Sequence, residues 1–458
     1  MTDAKSEGSP FLVVSIGAVL IVGLLGWFGF PRLGAYLDSK LDVEDEHVDS
    51  KGLERLSDAK LTAPADVDLP GAWPQWRGPR RDGVARDTGL LASWPAEGPA
   101  LLWQTGGGPG FSSLAVVDGS VFTMVQDGPN EVVLCLDEMS GKELWRQPYP
   151  AKFSNPESGE GPTSTPVVFE GKVYAVGATG LFHCLDAKDG KVLWQHDLLK
   201  VGEVANQEYG TAFSPLLEGD LVITLPGGPN GKSIAAFNRH DGKLVWQSLD
   251  DRAGFSSPVA ATLAGQRQIV CVTAESILGV SPQDGKLLWR HPWPAFKDCN
   301  VATPIVAGNY VYVSTGYNKG CILLEITEAD GAMQARPVYE NNRMRNQFSS
   351  SILYKDCVYG FDTSFLVCMD LRKGDVLWKQ RGFQRGSLTL ADGRFIILGE
   401  HGNVALATLN PQGYQLLSTF KLPTQRCWTS PVIANGKLFL RDEKTIWCFN
   451  LKDAAKAE

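Results

Sequence analysis

Asp189-Gly-Lys-Val-Leu-Trp194, Asp241-Gly-Lys-Leu-Val-Trp246 and Asp284-Gly-Lys-Leu-Leu-Trp289 are three copies of one phrase. Ser140-Gly-Lys-Glu-Leu-Trp145 and Lys373-Gly-Asp-Val-Leu-Trp378 are looser copies, and Trp103 closes a shorter one, Ala100-Leu-Leu-Trp103. A phrase that returns roughly every 40 to 52 residues marks an array, and an array dictates architecture before any site is considered.

Each unit has one inner grammar. Ser164-Thr-Pro opens a short apolar run to Phe169, and Glu170-Gly171 turns the chain. The alternating run Lys172–Val176 follows, then Leu181-Phe-His-Cys-Leu185, the turn Asp186–Gly190, and Val192-Leu-Trp194. That is four short strands joined by hairpin signals, the make-up of a propeller blade. Inner strands begin near Ser112, Ser164, Phe213, Ser256, Ala302, Ser349, Gly386 and Thr429, which gives eight units. The fifth lacks the Trp (Asp330-Gly-Ala-Met-Gln-Ala335), and the seventh has Leu417 in its place. The eighth stops after three strands, at Ile446-Trp-Cys-Phe449, and Ala100–Gln104 is free to supply the fourth. The expected fold is therefore all-β: an eight-bladed β-propeller of four-stranded antiparallel blades. Its ring is closed by an N-terminal strand, which removes an open sheet edge. Trp103, Trp145, Trp194, Trp246, Trp289 and Trp378 read as plugs that dock neighbouring blades, each indole N–H bonded to an adjacent backbone carbonyl.

The Asp-Gly-Lys-x-Leu-Trp ending, with Ser/Thr-Pro openings, resembles the repeat of the pyrroloquinoline-quinone (quinoprotein-like) propeller superfamily over most of the chain. That superfamily holds quinone-dependent dehydrogenases and also cofactor-free scaffolds. The nearest type is the B-subunit family of the outer-membrane β-barrel assembly machinery. Trp73-Pro-Gln-Trp-Arg-Gly-Pro-Arg-Arg-Asp-Gly-Val84 resembles the lead-in that precedes such propellers in bacterial proteins. The resemblance implies a binding scaffold in the cell envelope, with a quinone-dependent dehydrogenase or a small-ligand sensor as alternatives. A quinone with calcium belongs only to the dehydrogenase reading. Enzymes of that kind carry adjacent cysteines, and this chain has no adjacent pair.

The rest of the chain divides around the array. Residues 1–10 form a short tail, and residues 11–30 are twenty positions without a charge. At about 1.5 Å per residue that run spans a hydrocarbon core of about 30 Å, so a single transmembrane helix is expected. Residues 31–70 read as a solvated, partly helical tether, with ten acids against five bases in 32–70 and Leu33, Leu37, Leu41, Leu53 and Leu56 spaced for short helical pieces. Residues 71–98 are the lead-in, 99–452 the propeller and 453–458 a tail. The resemblance puts the propeller on the extracytoplasmic, periplasmic side of the membrane, as a monomeric ring whose partners are other envelope or membrane proteins. A net charge of −8 with no basic stripe argues against nucleic acid. Nine cysteines, an odd number without Cys-x-x-Cys spacing, argue against a disulfide framework and a metal cluster, and no cofactor is expected.

The loops that join each outer strand to the next inner strand gather around one mouth of the axis, and such loops carry function. Those leading into blades two and three hold Glu157, Glu160, Glu203 and Glu208; those leading into blades six to eight hold Arg343, Arg345, Arg381, Arg385 and Arg426. The expected site is a bipolar mouth that recognises partner proteins, because Arg suits carboxylates and interface hot spots. No catalytic residue is assigned. Asp298, Asn300, Asn346 and Trp428 lie at suggestive depth but match no catalytic pattern residue by residue.

Overall fold

The computed structural model describes residues 47–58, 71–424 and 426–452, all within the second of the chain's two units, Glu46–Glu458. Blade one is the simplest to follow: Ala115–Val117, Ser120–Asp127, Asn130–Asp137 and Glu143–Pro150, each antiparallel to the one before. The inner strands of blades two to eight are Val167–Phe169, Leu216–Glu218, Val259–Leu263, Ile305–Ala307, Ile352–Tyr354, Ser387–Ala391 and Val432–Ala434. The molecule is an eight-bladed propeller with low helix content. The last sheet takes Leu101–Gly106 as its outermost strand, antiparallel to Thr445–Asn450, with Leu101 opposite Phe449 and Gly106 opposite Thr445.

The repeated phrase is an inter-blade clasp. The indole N–H of Trp145 donates to Ala187 O (3.0 Å), that of Trp246 to Pro282 O (3.0 Å) and that of Trp378 to Asn410 O (2.8 Å). In each case the acceptor is in the outer turn of the next blade. Trp103 does the same from the last sheet to the first, donating to Glu138 O (2.9 Å). The glycine of the phrases in blades one to four lies under the Trp of the sheet before it, and Gly374 lies under Tyr339 and Asn341 of blade five. A Cβ on Gly190 would sit 2.5 Å from the Trp145 ring, and one on Gly141 2.5 Å from Trp103. Both glycines also hold positive φ, +74° and +68°, which L-residues avoid. Gly and Trp thus stand four residues apart in one phrase but serve successive joints.

Two blades solve the joint differently. Tyr339 occupies the Trp position of blade five, opposite Leu323, and its hydroxyl donates to Leu371 O (2.9 Å). In blade seven the register puts Ser418, not Leu417, opposite Leu406 at the Trp position. Leu417 falls on the preceding bulge residue and packs partly buried against the core. A one-residue bulge sits at this point in every outer strand, and such bulges strengthen the local twist. Trp194 and Trp289 also depart from expectation: the buried Trp194 indole N–H meets no acceptor, and that of Trp289 donates to Gln268 Oε1 of its own sheet.

Around the axis, the small residues that open each inner strand act as links. The backbone N–H of Ser113 donates to Thr165 Oγ1 (3.2 Å), that of Thr165 to Ser214 Oγ (3.0 Å) and that of Ser214 to Ser257 Oγ (2.9 Å). Thr303 N–H donates likewise to Ser350 Oγ (2.9 Å). A hydroxyl in these positions satisfies a buried neighbour's amide that no sheet partner reaches.

The lead-in crosses one end of the axis and bonds to all eight blades. Trp73 pairs with Val116 of blade one, and Pro74 O accepts from Val168 N of blade two (2.8 Å). Arg81 Nη1 donates to Ser214 O (3.2 Å) and Pro258 O (3.0 Å) of blades three and four. Trp76 reaches Thr303 Oγ1 of blade five (2.9 Å), and Arg77 reaches Ser351 O of blade six (2.6 Å). Ala85 N–H donates to Leu390 O of blade seven (2.8 Å), and Asp87 accepts from Gly436 N of blade eight (2.6 Å). Arg77 and Arg81 are buried, and burial draws their pKa down to about 10 and about 9, so both stay charged at neutral pH. The inner strands run away from the functional loops towards this end, so the sealed end and the mouth are opposite.

Part of the expected tether is docked rather than solvated. His47–Val48 adds a fifth strand to blade five, with Val48 opposite Tyr339. The helix Ser50–Asp58 packs Leu53 and Leu56 against a core that includes Tyr310 and Tyr339. Arg55 forms an ion pair with Glu325 (2.5 Å). An amphipathic face and one charge pair suffice to hold a stretch whose overall composition is acidic. Among the described residues no helix is long and apolar enough to cross a membrane. The expected span 11–30 and the two tails lie outside those residues.

All nine cysteines are free and buried. One buried carboxyl stands out: Glu131, at the joint of blades one and two, accepts from Tyr149 Oη (2.8 Å). Burial raises its pKa to about 7 against the opposing pull of that bond and of the Ala178 and Thr179 amides.

Two predictions follow from the joints. Gly190→Ala should cost about 3 kcal/mol, combining backbone strain with overlap on Trp145. Gly171→Ala, at φ +69° with nothing within 4 Å, should cost only about 1–2 kcal/mol. Urea midpoints of the two variants measure the difference, and equal losses would exclude the clasp. Glu131 has a folded pKa above its unfolded one. Its contribution to stability is therefore complete below about pH 4.5 and fades as pH rises through about 7. Glu131→Gln should flatten that decline, by up to roughly 3 kcal/mol across the window. Parallel decline in both proteins would show that another group titrates.

Candidate functional site

At the open mouth an aromatic residue stands just before several inner strands: Phe111, Phe213, Phe255, Phe348 and Trp428. Phe213 and Phe255 are buried, whereas Phe348 and Trp428 are half-buried. The loop into blade seven is short, ending Gln384-Arg385-Gly386, and it lets the loops of blades six and eight meet across it. Phe348 and Trp428 lie 4.6 Å apart with planes tilted 33°, and Trp428 and Phe111 lie 5.0 Å apart with planes tilted 37°. The result is a continuous aromatic platform drawn from blades six, eight and one.

Two arginines cover it. The Arg426 guanidinium is 4.8 Å from the Trp428 ring and 5.4 Å from Phe111, and Arg385 is 5.7 Å from Phe348. Arg426 pairs with Glu443 (3.2 Å), and Arg385 stands 3.9 Å from Glu400. Glu400 also accepts the Trp428 indole N–H (2.9 Å), which fixes the ring's orientation. The platform rests on a rigid base. Buried Arg441 donates to Ser112 O (2.6 Å), Thr123 Oγ1 (2.5 Å) and Met124 O (3.0 Å), pinning the strand that follows Phe111.

The remaining expected site residues fall elsewhere. Arg343 reaches Asp375 (2.6 Å) in the outer turn of blade six. Arg345 is held by buried Asp362 (2.6 Å), which Lys379 shares (2.9 Å). Arg381 lies over Phe365 at 4.9 Å. On the acidic side, Glu157 accepts from Tyr209 Oη (2.7 Å), Glu208 pairs with Lys297 (2.8 Å), Glu203 with Lys232 (2.5 Å) and Glu160 with Lys152 (3.6 Å). Each carboxylate therefore has a local partner. Arg385 and Arg426 come together on the platform, Glu157 and Glu208 are linked through Tyr209 and Lys297, and sequence reasoning missed Phe111 and Phe348 beside the arginines. The signal was present as an aromatic before Ser or Thr at the opening of five units.

The donor set does not fit a quinone–calcium centre. The Asn300 amide donates to Thr273 O (2.7 Å) and Trp293 O (3.0 Å), and its oxygen accepts from Thr315 Oγ1 (2.7 Å). Asn346 bridges Phe361 O (3.0 Å) and Ser351 Oγ (2.8 Å), and Asp298 pairs with Arg252 (2.9 Å). These groups hold loops in place. Among the described residues no three His, Cys, Asp or Glu side chains converge to hold a metal.

Comparison with known proteins agrees with the fold and the repeat. Residues 129–380, more than half of the chain, match the family model described as outer membrane protein assembly factor BamB. The chain is 24% identical to outer membrane protein assembly factor BamB of Yersinia pestis over 283 residues, 59% of this chain and 69% of that one. It is 28% identical to the quinoprotein alcohol dehydrogenase PedH of Pseudomonas putida over 150 residues, which cover 30% of this chain and 24% of the enzyme. The crystal structure of BamB from Moraxella catarrhalis superposes with a TM-score of 0.53 at 16% identity, covering 77% of this chain and 97% of that one. The fold, the repeat and the extent of the match place this chain in the outer membrane protein assembly factor BamB family.

Proposed function

We propose that this protein is a binding scaffold of the bacterial cell envelope that recruits other envelope or membrane proteins through the mouth of its ring. The observation that carries the reading is the Phe348–Trp428–Phe111 platform under Arg385 and Arg426. Half-buried Trp and Arg on a rigid base are the side chains that dominate protein interfaces, because they exclude water over a large area at little entropic cost. Glu157, Glu160, Glu203 and Glu208 form the acidic sector of the same mouth, where rim charges tune the rate of encounter more than affinity. Arg343, Arg345 and Arg381 form the outer part of the basic sector.

In this reading residues 11–30 are a single-pass membrane anchor, and the rest of 31–70 is the tether that leads to the docked segment. The lead-in and ring (71–98 and 99–452) lie on the periplasmic side as a monomer, with the strand near residue 101 closing the ring between two short tails, 1–10 and 453–458. Membership of an outer membrane assembly family supports an envelope role. The chain works without a cofactor.

The test combines Arg385→Glu, Arg426→Glu and Trp428→Ala in the full chain, followed by crosslinking in native membranes and purification. Recovery of partner proteins should fall about tenfold or more, with an unchanged melting temperature. A folded variant with full recovery would remove the mouth as the binding surface. Fractionation of the same cells reports the anchor: deletion of residues 11–30 should move the chain from the membrane pellet to the soluble fraction, and retention in the pellet would contradict it.

A further inference from the structure

At the sealed end the lead-in does not lie flush against the ring. It leaves a cleft of about 370 Å³ against blades four to six, within the size range of small-molecule sites. One wall is aliphatic and comes from the inner strands, through Val259, Val306 and Leu353. The other wall is the lead-in itself, and it is cationic.

Two of its charges are structural. Arg77 donates to Arg81 O, Asp82 O and Ser351 O, and Arg81 to Gln75 Oε1, Ser214 O, Pro215 O and Pro258 O. All of these acceptors are neutral; the Asp82 carboxylate partly offsets Arg77, whereas the charge of Arg81 acts on the cleft beside it at low dielectric. Arg80, Arg86 and Lys355 add three more cations to the lining. Only Asp82 and Asp356 oppose them there. Asp82 is shared between Arg80 (2.9 Å) and Arg86 (3.4 Å), and Asp356 lies 3.6 Å from Arg372. A chain of net charge −8 thus concentrates positive charge in one apolar-walled cleft.

We propose that this cleft binds a small amphiphilic anion, a carboxylate or phosphate monoester with an aliphatic body. Its head meets Arg80, Arg86 and Lys355, and its body lies along Val259, Val306 and Leu353. Guanidinium groups suit either head because both offer two oxygens to a planar fork. The aliphatic wall discriminates against the bare ion. The site is independent of the partner-binding mouth, since it lies at the other end of the axis.

Calorimetry on the purified full chain tests this with octyl phosphate, octanoate, inorganic phosphate and octanol. Octyl phosphate or octanoate should bind one to one, about tenfold or more tighter than inorganic phosphate or octanol. Arg80→Gln with Lys355→Gln should weaken that binding about tenfold or more. Lys355→Glu alone, at an exposed position, covers the case in which the pair fails to fold. Absence of binding by both amphiphiles, equal binding of octanol, or binding unchanged in the folded variants would overturn the proposal. Vesicles of anionic phospholipid distinguish the source. Capture by wild type but not by Lys355→Glu assigns the anion to a lipid; binding of the soluble amphiphiles alone assigns it to a free small molecule.

Discussion

An indole N–H reaching over a glycine to the turn of the next sheet sets the spacing of this molecule. A four-stranded twisted sheet has two apolar faces and cannot bury both alone, so each blade depends on its neighbours. The Trp–Gly contact fixes how close they come. Any side chain on Gly141 or Gly190 would push the blades apart, and loss of the Trp would leave a void along the joint. The blades that lack the Trp compensate in their own ways. Tyr339 restores both the ring and the hydrogen bond in blade five. In blade seven Ser418 Oγ accepts the backbone N–H of Trp94 (2.9 Å), and the Trp94 ring packs edge-on against Phe420, so the lead-in brings a Trp to the blade whose repeat lacks one.

The ends of the ring are made unlike by the lead-in. It crosses one end with Arg77 and Arg81 bonded to inner-strand carbonyls, and the opposite end keeps its loops free. Desolvating two guanidinium groups is costly, and it is tolerated because nearly every donor finds a carbonyl that would itself be unsatisfied. The two proposed sites divide between the ends in the same way. The mouth exposes aromatic and arginine side chains on a base pinned by Arg441, and the sealed end offers a charged cleft.

What the sequence disclosed follows from periodicity. The phrase Asp-Gly-Lys-x-Leu-Trp fixes the outer turns, and the Ser/Thr openings fix the inner strands, so the eight blades were countable. Blade seven was misread by one residue, because a bulge is invisible without the partner strand. The lead-in has no period, and nothing in Arg77 or Arg81 announces contact with carbonyls 130 to 275 residues away. Local composition was a poor guide to the charged loops. The residue types of the basic sector gave no sign of the local pairing that holds Arg345 to Asp362 (2.6 Å). Acidity made residues 47–58 read as solvated, and it outweighed Leu53 and Leu56, which bury their side chains on blade five.

In the proposed closure, the ring joins at the seam where Leu101–Gly106 pairs with the last sheet and Trp103 reaches blade one. Backbone hydrogen exchange at Leu101–Gly106 examines that seam directly. The account predicts that these amides exchange as slowly as those of Thr445–Asn450 and open with the ring as one cooperative unit. Exchange at unfolded-chain rates in residues 101–106, with the other blades still protected, would contradict it.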